Sequence, residues 1–224
     1  MDAIIYYSNT NESYNVAKYI SLKNNYQLLN ILKLDNYEFD NIYLIFPIHY
    51  QSIPIEIRNI IKKITAKKAV VILTYGKMSY GHVLNDVKKI LNAKIVGAAY
   101  VPSKHTYIDS DTSFDLNKLD ILIDKINNDK EIIIKKTKKN IFASILPIYR
   151  HKISVKIIKT DKCINCNMCN IICNKIENGI IIDKSCNRCL KCVNNCPYDA
   201  LEYKLSSIMK RYLKKKKKND FIIY

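Results

Sequence analysis

All eight cysteines of this 224-residue chain fall between positions 163 and 196, and they repeat one spacing twice. Cys163, Cys166, Cys169 and Cys173 form a C-x2-C-x2-C-x3-C run, and Cys186, Cys189, Cys192 and Cys196 form another, closed by Pro197. Three thiols at intervals of three residues can wrap three corners of a cuboidal centre from one tight loop, while the fourth, set further off, reaches elsewhere. A tetrahedral zinc ion takes four ligands, usually from two separated C-x2-C pairs, so the third cysteine of each run would be surplus. Disulfides need an oxidising compartment. The opening MDAIIYYSN has none of the basic segment, long apolar stretch and small-residue cleavage site of a secretion signal. The reading that remains is a pair of iron–sulfur clusters.

Over about residues 155 to 204 the chain resembles the bacterial two-[4Fe-4S] ferredoxins, through DKCINCNMCNIICN and KSCNRCLKCVNNCPYDAL. The resemblance implies a small α+β domain of short hairpins and helical turns, pseudo-twofold about two cubanes. In that family the fourth cysteine of each run serves the other cluster. One metal set is then Cys163, Cys166, Cys169 and Cys196, and the other is Cys186, Cys189, Cys192 and Cys173. Asn174 stands where such ferredoxins often carry a second proline. Ile164, Ile171, Ile172, Ile180, Ile182, Val193 and Leu201 lie beside the ligands, where apolar side chains form a small core and keep water from sulfur.

The cysteine module fills only the last third, so the length leaves room for a second domain. The apolar run Ile141 to Ile148 is too short, and too interrupted by Pro147, to span a bilayer. No membrane span is expected, and a cytoplasmic location is. The formal charge is +17, and it is uneven: residues 1–140 hold 20 basic and 14 acidic side chains, residues 141–224 hold 17 and 6. Two cluster cores with their thiolates would each subtract about two charges. The lysine run Lys214 to Lys218 reads as a solvated basic tail. No groove-reading motif accompanies the charge, so nucleic acid is not an expected partner. Redox proteins are, acidic ones among them.

The first 138 residues alternate between strand and helix patterns. Continuous β-branched runs at Ala3 to Tyr7, Ile42 to Ile48, Ala69 to Tyr75 and Lys94 to Val101, with a weaker one at Tyr26 to Leu32, suit strands buried on both faces of a parallel sheet. Helical patterns at Glu12 to Leu22, Pro54 to Ile64, His82 to Leu91 and Asp115 to Asn127 separate them. This alternation predicts an open, doubly wound α/β sheet, whose ligand site lies outside the carboxyl ends of the strands.

Three loops fall there. Ser8, Asn9, Thr10, Asn11, Glu12 and Ser13 lead from the first strand into a helix, a hydroxyl-rich turn suited to a phosphate or to plain capping. It has no lysine, so it is not a nucleotide-triphosphate loop. Pro47, His49 and Tyr50 begin the second loop. The third, Thr74, Tyr75, Gly76 and on through Tyr80 and Gly81, holds two of the chain's four glycines. Glycines so close together predict a sharp turn or close approach to something flat. His49 and His82 sit in these loops, and His105 and His151 have no partner motif, so no catalytic residue is assigned.

These loops resemble the flavodoxin family, whose phosphate loop has the form S/T-x-T-G-x-T/S. Ser8, Thr10 and Ser13 match it, and Asn11 replaces the glycine. The resemblance implies a five-stranded sheet of order 2-1-3-4-5 with FMN at the switch point between strands one and three. The whole chain looks like bacterial fusions of a flavodoxin-like domain (1–138), a linker (139–154), a two-[4Fe-4S] ferredoxin domain (155–206) and here a basic tail (207–224). Such a fusion implies electron transfer between one-electron partners and a two-electron flavin. Two other functions stay open: a flavin-dependent reductase of a small molecule such as a quinone or nitro compound, and a flavin-free ferredoxin whose first domain binds partners.

Overall fold

The computed structural model describes residues 1–108, 114–135, 147–215 and 217–224, with the side chains of 147–150 excepted. The chain divides into two compact units: Met1–Ser144 together with Lys217–Tyr224, and Ile145–Lys216.

In the first unit the order is β1 (Ala3–Tyr6), α1 (Glu12–Asn24), β2 (Gln27–Asn30), β3 (Glu38–Pro47), α2 (Ile55–Ile61), β4 (Thr65–Tyr75), α3 (Val83–Ile90), β5 (Asn92–Pro102) and α4 (Asp120–Ile123). The four apolar runs form β1, β3, β4 and β5 because both of their faces are covered. Ile5, Leu44, Phe46, Val71 and Leu73 point into one buried cluster. Their chain neighbours Ile4, Tyr43, Ile45, Val70 and Ile72 point into another on the opposite face. A strand alternates sides with period two, so a doubly covered strand has no polar side to show.

Strands β1 to β5 are mutually parallel, paired for example as Ile5 with Leu44 and Leu44 with Val71. The sheet runs from β10 (Ile222–Ile223) through β5, β4, β3 and β1 to β2. The observed order therefore departs from 2-1-3-4-5 by one added strand. β10 (Ile222–Ile223) lies antiparallel on the outside of β5, with Ile222 opposite Tyr100. A mostly parallel sheet flanked by helices fits a flavodoxin-like α/β fold. The expected helix from Asp115 to Asn127 is broken into 3-10 turns around the four residues of α4. The Asp115 side chain accepts from the Asn117 N–H at 3.1 Å, as a capping carboxylate should.

The second unit contains α5 (Pro147–Ser154), β6 (Val155–Lys159), α6 (Met168–Ile172), β7 (Ile176–Glu177), β8 (Ile180–Ile181), α7 (Lys191–Asn194), β9 (Leu201–Leu205) and α8 (Ser207–Leu213). Strands β6 and β9 pair antiparallel, from Val155–Leu205 to Lys159–Leu201. β7 and β8 form a hairpin across Asn178 and Gly179, whose φ values of 45° and 78° are those a two-residue turn demands.

Residues 207–224 do not form the single solvated tail expected. Ser206 caps α8 by accepting from the Met209 N–H at 3.2 Å, and Lys217–Tyr224 belong to the first unit. The β-branched pair in DFIIY satisfies an open sheet edge, which overrides the lysines before it. Of the expected linker, residues 139–146 lie outside the described residues, as does most of the Ile141 to Ile148 run, while 147–154 are helical. Among the described residues no helix is long and apolar enough to cross a membrane.

Candidate functional site

The two cysteine loops repeat each other in backbone conformation as well as in spacing. Around the second cysteine of the first run, Asn165 and Asn167 take φ of 57° and 58°; around that of the second run, Arg188 and Leu190 take 60° and 62°. Asparagine tolerates this left-handed region, but arginine and leucine do so at a cost. The shared geometry turns each loop twice. Asn167 and Leu190 are then the N-caps of α6 and α7, which carry Cys169 and Cys192.

One cavity is lined by Cys163, Cys166 and Cys169 together with Cys196 from the second run, and by Gly179, Pro197 and Leu201. Around Cys192 the neighbours are Cys189, Cys186 and Cys173, the last from the first run. Burial first, and then these three thiols, push the Cys192 thiol up to about 12. Cys169, Cys186 and Cys192 are buried and Cys166 is exposed. Backbone donors face two of the sulfurs: Gly179 N–H to Cys169 Sγ and Ala200 N–H to Cys196 Sγ, each at 3.4 Å. Cys169, Cys192, Ile176 and Leu201 form a small core, with Val193 packed against it.

Among the described residues no group of three or more His, Cys, Asp and Glu is arranged to hold a metal ion. A single tetrahedral ion needs its sulfurs within about 2.3 Å of one point. The cavity with Cys163, Cys166, Cys169 and Cys196 also takes in Asn167, Met168, Asn178 and Tyr198, and its lining has no carboxylate or imidazole. Four thiols without a carboxylate suit a soft metal centre rather than a hard cation.

In the first unit the three predicted loops meet at the carboxyl edge of the sheet. The Ser13 hydroxyl, 1 % exposed, lies 2.7 Å from that of Thr74. The Ile48 N–H donates to the Thr74 carbonyl at 2.8 Å. Asn9 donates to the Tyr7 hydroxyl at 3.1 Å, and the Tyr7 ring meets that of His49 edge-on. Asn11 has φ 64° and no side-chain capping bond, which leaves the first-turn amides of α1 to another partner. Its replacement of glycine therefore keeps the conformation. The carboxylate of Glu12 accepts from the Lys104 N–H at 3.2 Å.

The loop after β3 closes in a tight turn, with His49 and Ser52 exchanging backbone hydrogen bonds around Tyr50 and Gln51 at φ 50° and 63°. Gly81, at φ +60°, packs on it: a Cβ there would lie 2.9 Å from the Gln51 Cβ. At Gly76 a Cβ would strike the His105 ring at 2.6 Å. These close approaches explain why the glycines cluster, and the flat neighbour of Gly76 is His105.

Tyr75 is buried, with its hydroxyl donating to the Asp220 carbonyl at 2.7 Å, and its ring meets Tyr80 edge-on. Tyr80 stacks on Tyr100 at 4.4 Å, under the Lys218 ammonium. The Lys218 N–H donates to the Lys77 carbonyl. Lys77 is itself 5 % exposed; its amine is held below the usual lysine range by burial and then by Lys217, with Glu12 opposing. Burial, and then Lys217, lower His105 to about 4. Tyr100 and the 217–224 segment are the residues that sequence reasoning missed. The only available signal was the apolar FIIY following the lysines.

No family model matches the chain, and no curated protein matches it. Among solved structures, a candidate flavoprotein from Bacteroides uniformis is similar at 14% identity and a TM-score of 0.37, over 46% of this chain and 91% of that one. A likeness at that level carries no functional argument, so the site has to be read from its own residues.

Proposed function

We propose that the chain is an electron carrier linking one-electron redox partners to a two-electron flavin, through two [4Fe-4S] clusters and FMN. The observation that carries this reading is the cavity that Cys163, Cys166 and Cys169 share with Cys196. Interleaved ligation requires three cysteines of one run to be closed by the last of the other, whereas two independent four-ligand sites would not mix the runs. When bound, cubanes would supply one-electron steps and a flavin two-electron exchange. The protein's own part is to aim and shield the thiolates. The left-handed residues fix their direction, Leu201 and Ile176 exclude water, and the N–H groups of Gly179 and Ala200 offset negative charge on sulfur.

In the first unit the Ser8 to Ser13 turn supports a phosphate, through the uncapped amides of α1 and hydroxyls at the switch point. Pro47, His49, Tyr50 and the Thr74 to Gly81 loop would flank the ring. A second reading is favoured by two contacts: the Lys77 carbonyl and the Tyr75 hydroxyl are already engaged by Lys218 and Asp220. That supports a flavin-free first unit that serves as a platform for partners.

Anaerobic purification, an absorption spectrum and counts of iron, sulfide and released flavin separate the two. The first reading expects about eight irons and one FMN, the second about eight irons and none. Cys196→Ser should remove the cluster of the first run and leave about four irons. A protein that takes up neither iron nor sulfide on anaerobic reconstitution would sink both.

A further inference from the structure

Two segments outside the first cysteine run are bonded to it. Lys159, the last residue of β6, donates from its ammonium to Asn165 Oδ1 at 2.6 Å, and the same oxygen lies 4.0 Å from Cys163 Sγ. Asn167 Oδ1 accepts from the Asn178 N–H at 3.1 Å, at the tip of the β7–β8 hairpin. The next amide, that of Gly179, donates to Cys169 Sγ at 3.4 Å. Gly179 also leaves room for the lysine stem: a Cβ there would lie 3.1 Å from Lys159 Cγ and Cδ and 3.2 Å from Leu201 Cδ2. Each of the two left-handed asparagines, at φ 57° and 58°, therefore has its side-chain oxygen held by a donor from another segment of the second unit. Arg188 and Leu190 stand at the matching places in the second run, and neither has a side-chain oxygen to offer.

We infer that Lys159 is a positioning residue for the first run: through Asn165 it holds the turn between Cys163 and Cys166, and it brings a positive charge beside Cys163. A hydrogen bond from a charged donor stabilises the turn against opening. A positive charge beside a redox centre favours the more negative, reduced form. Both partners are exposed, so the effect is screened and modest. What the charge does to an electron rests on the electron-transfer reading above; the hold on the turn does not.

The test uses the full chain, with iron and sulfide counted first so that failure of the cluster reading registers separately. Lys159→Met keeps a stem over Gly179 and removes the ammonium. Amide hydrogen exchange, read with or without iron bound, should quicken about two- to fivefold across residues 164–167 and stay unchanged across 187–190. In protein holding about eight irons, one of the two midpoint potentials should fall, with the iron count unchanged. The reduced-to-oxidised ratio of that centre at a fixed poise should drop about threefold. Lys159→Arg should restore both readings. Lys156→Met, the same loss of charge from the same strand, should move neither. Asn165→Gly keeps the left-handed backbone and removes the acceptor, so adding Lys159→Met to it should not quicken exchange further. Unaltered exchange across 164–167 in Lys159→Met would overturn the inference, whether or not iron binds. So would additive effects in the double variant, or matching changes in Lys156→Met or in both midpoints, which would reduce the effect to net charge.

Discussion

The hydroxyls of Ser13 and Thr74 lie 2.7 Å apart, joining the first turn of α1 to the carboxyl end of β4 across 61 residues of sequence. Both are buried. Thr74→Val would keep the shape but leave the Ser13 hydroxyl without this partner, costing about 1 to 3 kcal/mol. Chemical denaturation measures it. An unchanged midpoint and slope would show that the contact contributes nothing to stability.

Gly81→Ala should destabilise the first unit by about 1 to 2 kcal/mol, because the left-handed φ and the Gln51 backbone leave no room for a methyl group. The same variant should weaken any flavin bound between the two loops. Thermal melting reads the first effect, and fluorescence titration with FMN the second.

Stability should fall in mild acid through His105. Its folded pKa is lowered from 6.5 to about 4, so the unfolded chain takes up the proton first. The contribution is fully present above about pH 6.5 and is lost as the pH drops from there towards 4. His105→Gln should flatten that limb of the stability profile. A limb that persists unaltered would assign it to other groups.

Tyr75→Phe should cost about 1 kcal/mol through loss of the bond to the Asp220 carbonyl. Deleting residues 220–224 should cost several times more, since it removes β10 and the aromatic contacts of Phe221 with Phe114 and Tyr224 with Tyr100. A truncated protein melting with the full chain would show that the added strand contributes little.

Strands β1, β3, β4 and β5 were legible because burial on both faces forces continuous β-branched runs, such as AVVILTY, that need no partner to be recognised. The meeting of the three loops was legible too, since a parallel sheet puts every strand's carboxyl end on one edge. Less was readable where contact across the sequence decides. Tyr75 reads as part of the third loop at the ligand edge, but its alternate position in β4 and the arrival of Asp220 put it inside. His105 carried no motif, and its lowered pKa comes from burial and from Lys217, more than 100 residues away.

By itself the sequence determined the two loops of thiols, through a spacing whose repeat carries its own chemistry, and the α/β character of the first unit, through local hydrophobic period. Only the tertiary structure decided that Lys217 to Tyr224 complete the sheet edge beside β5, that the Tyr75 hydroxyl meets the Asp220 carbonyl, and that Gly76 packs against the His105 ring. Spacing is a property of neighbours along the chain. Edge pairing and such contacts depend on which distant segments the packing brings together.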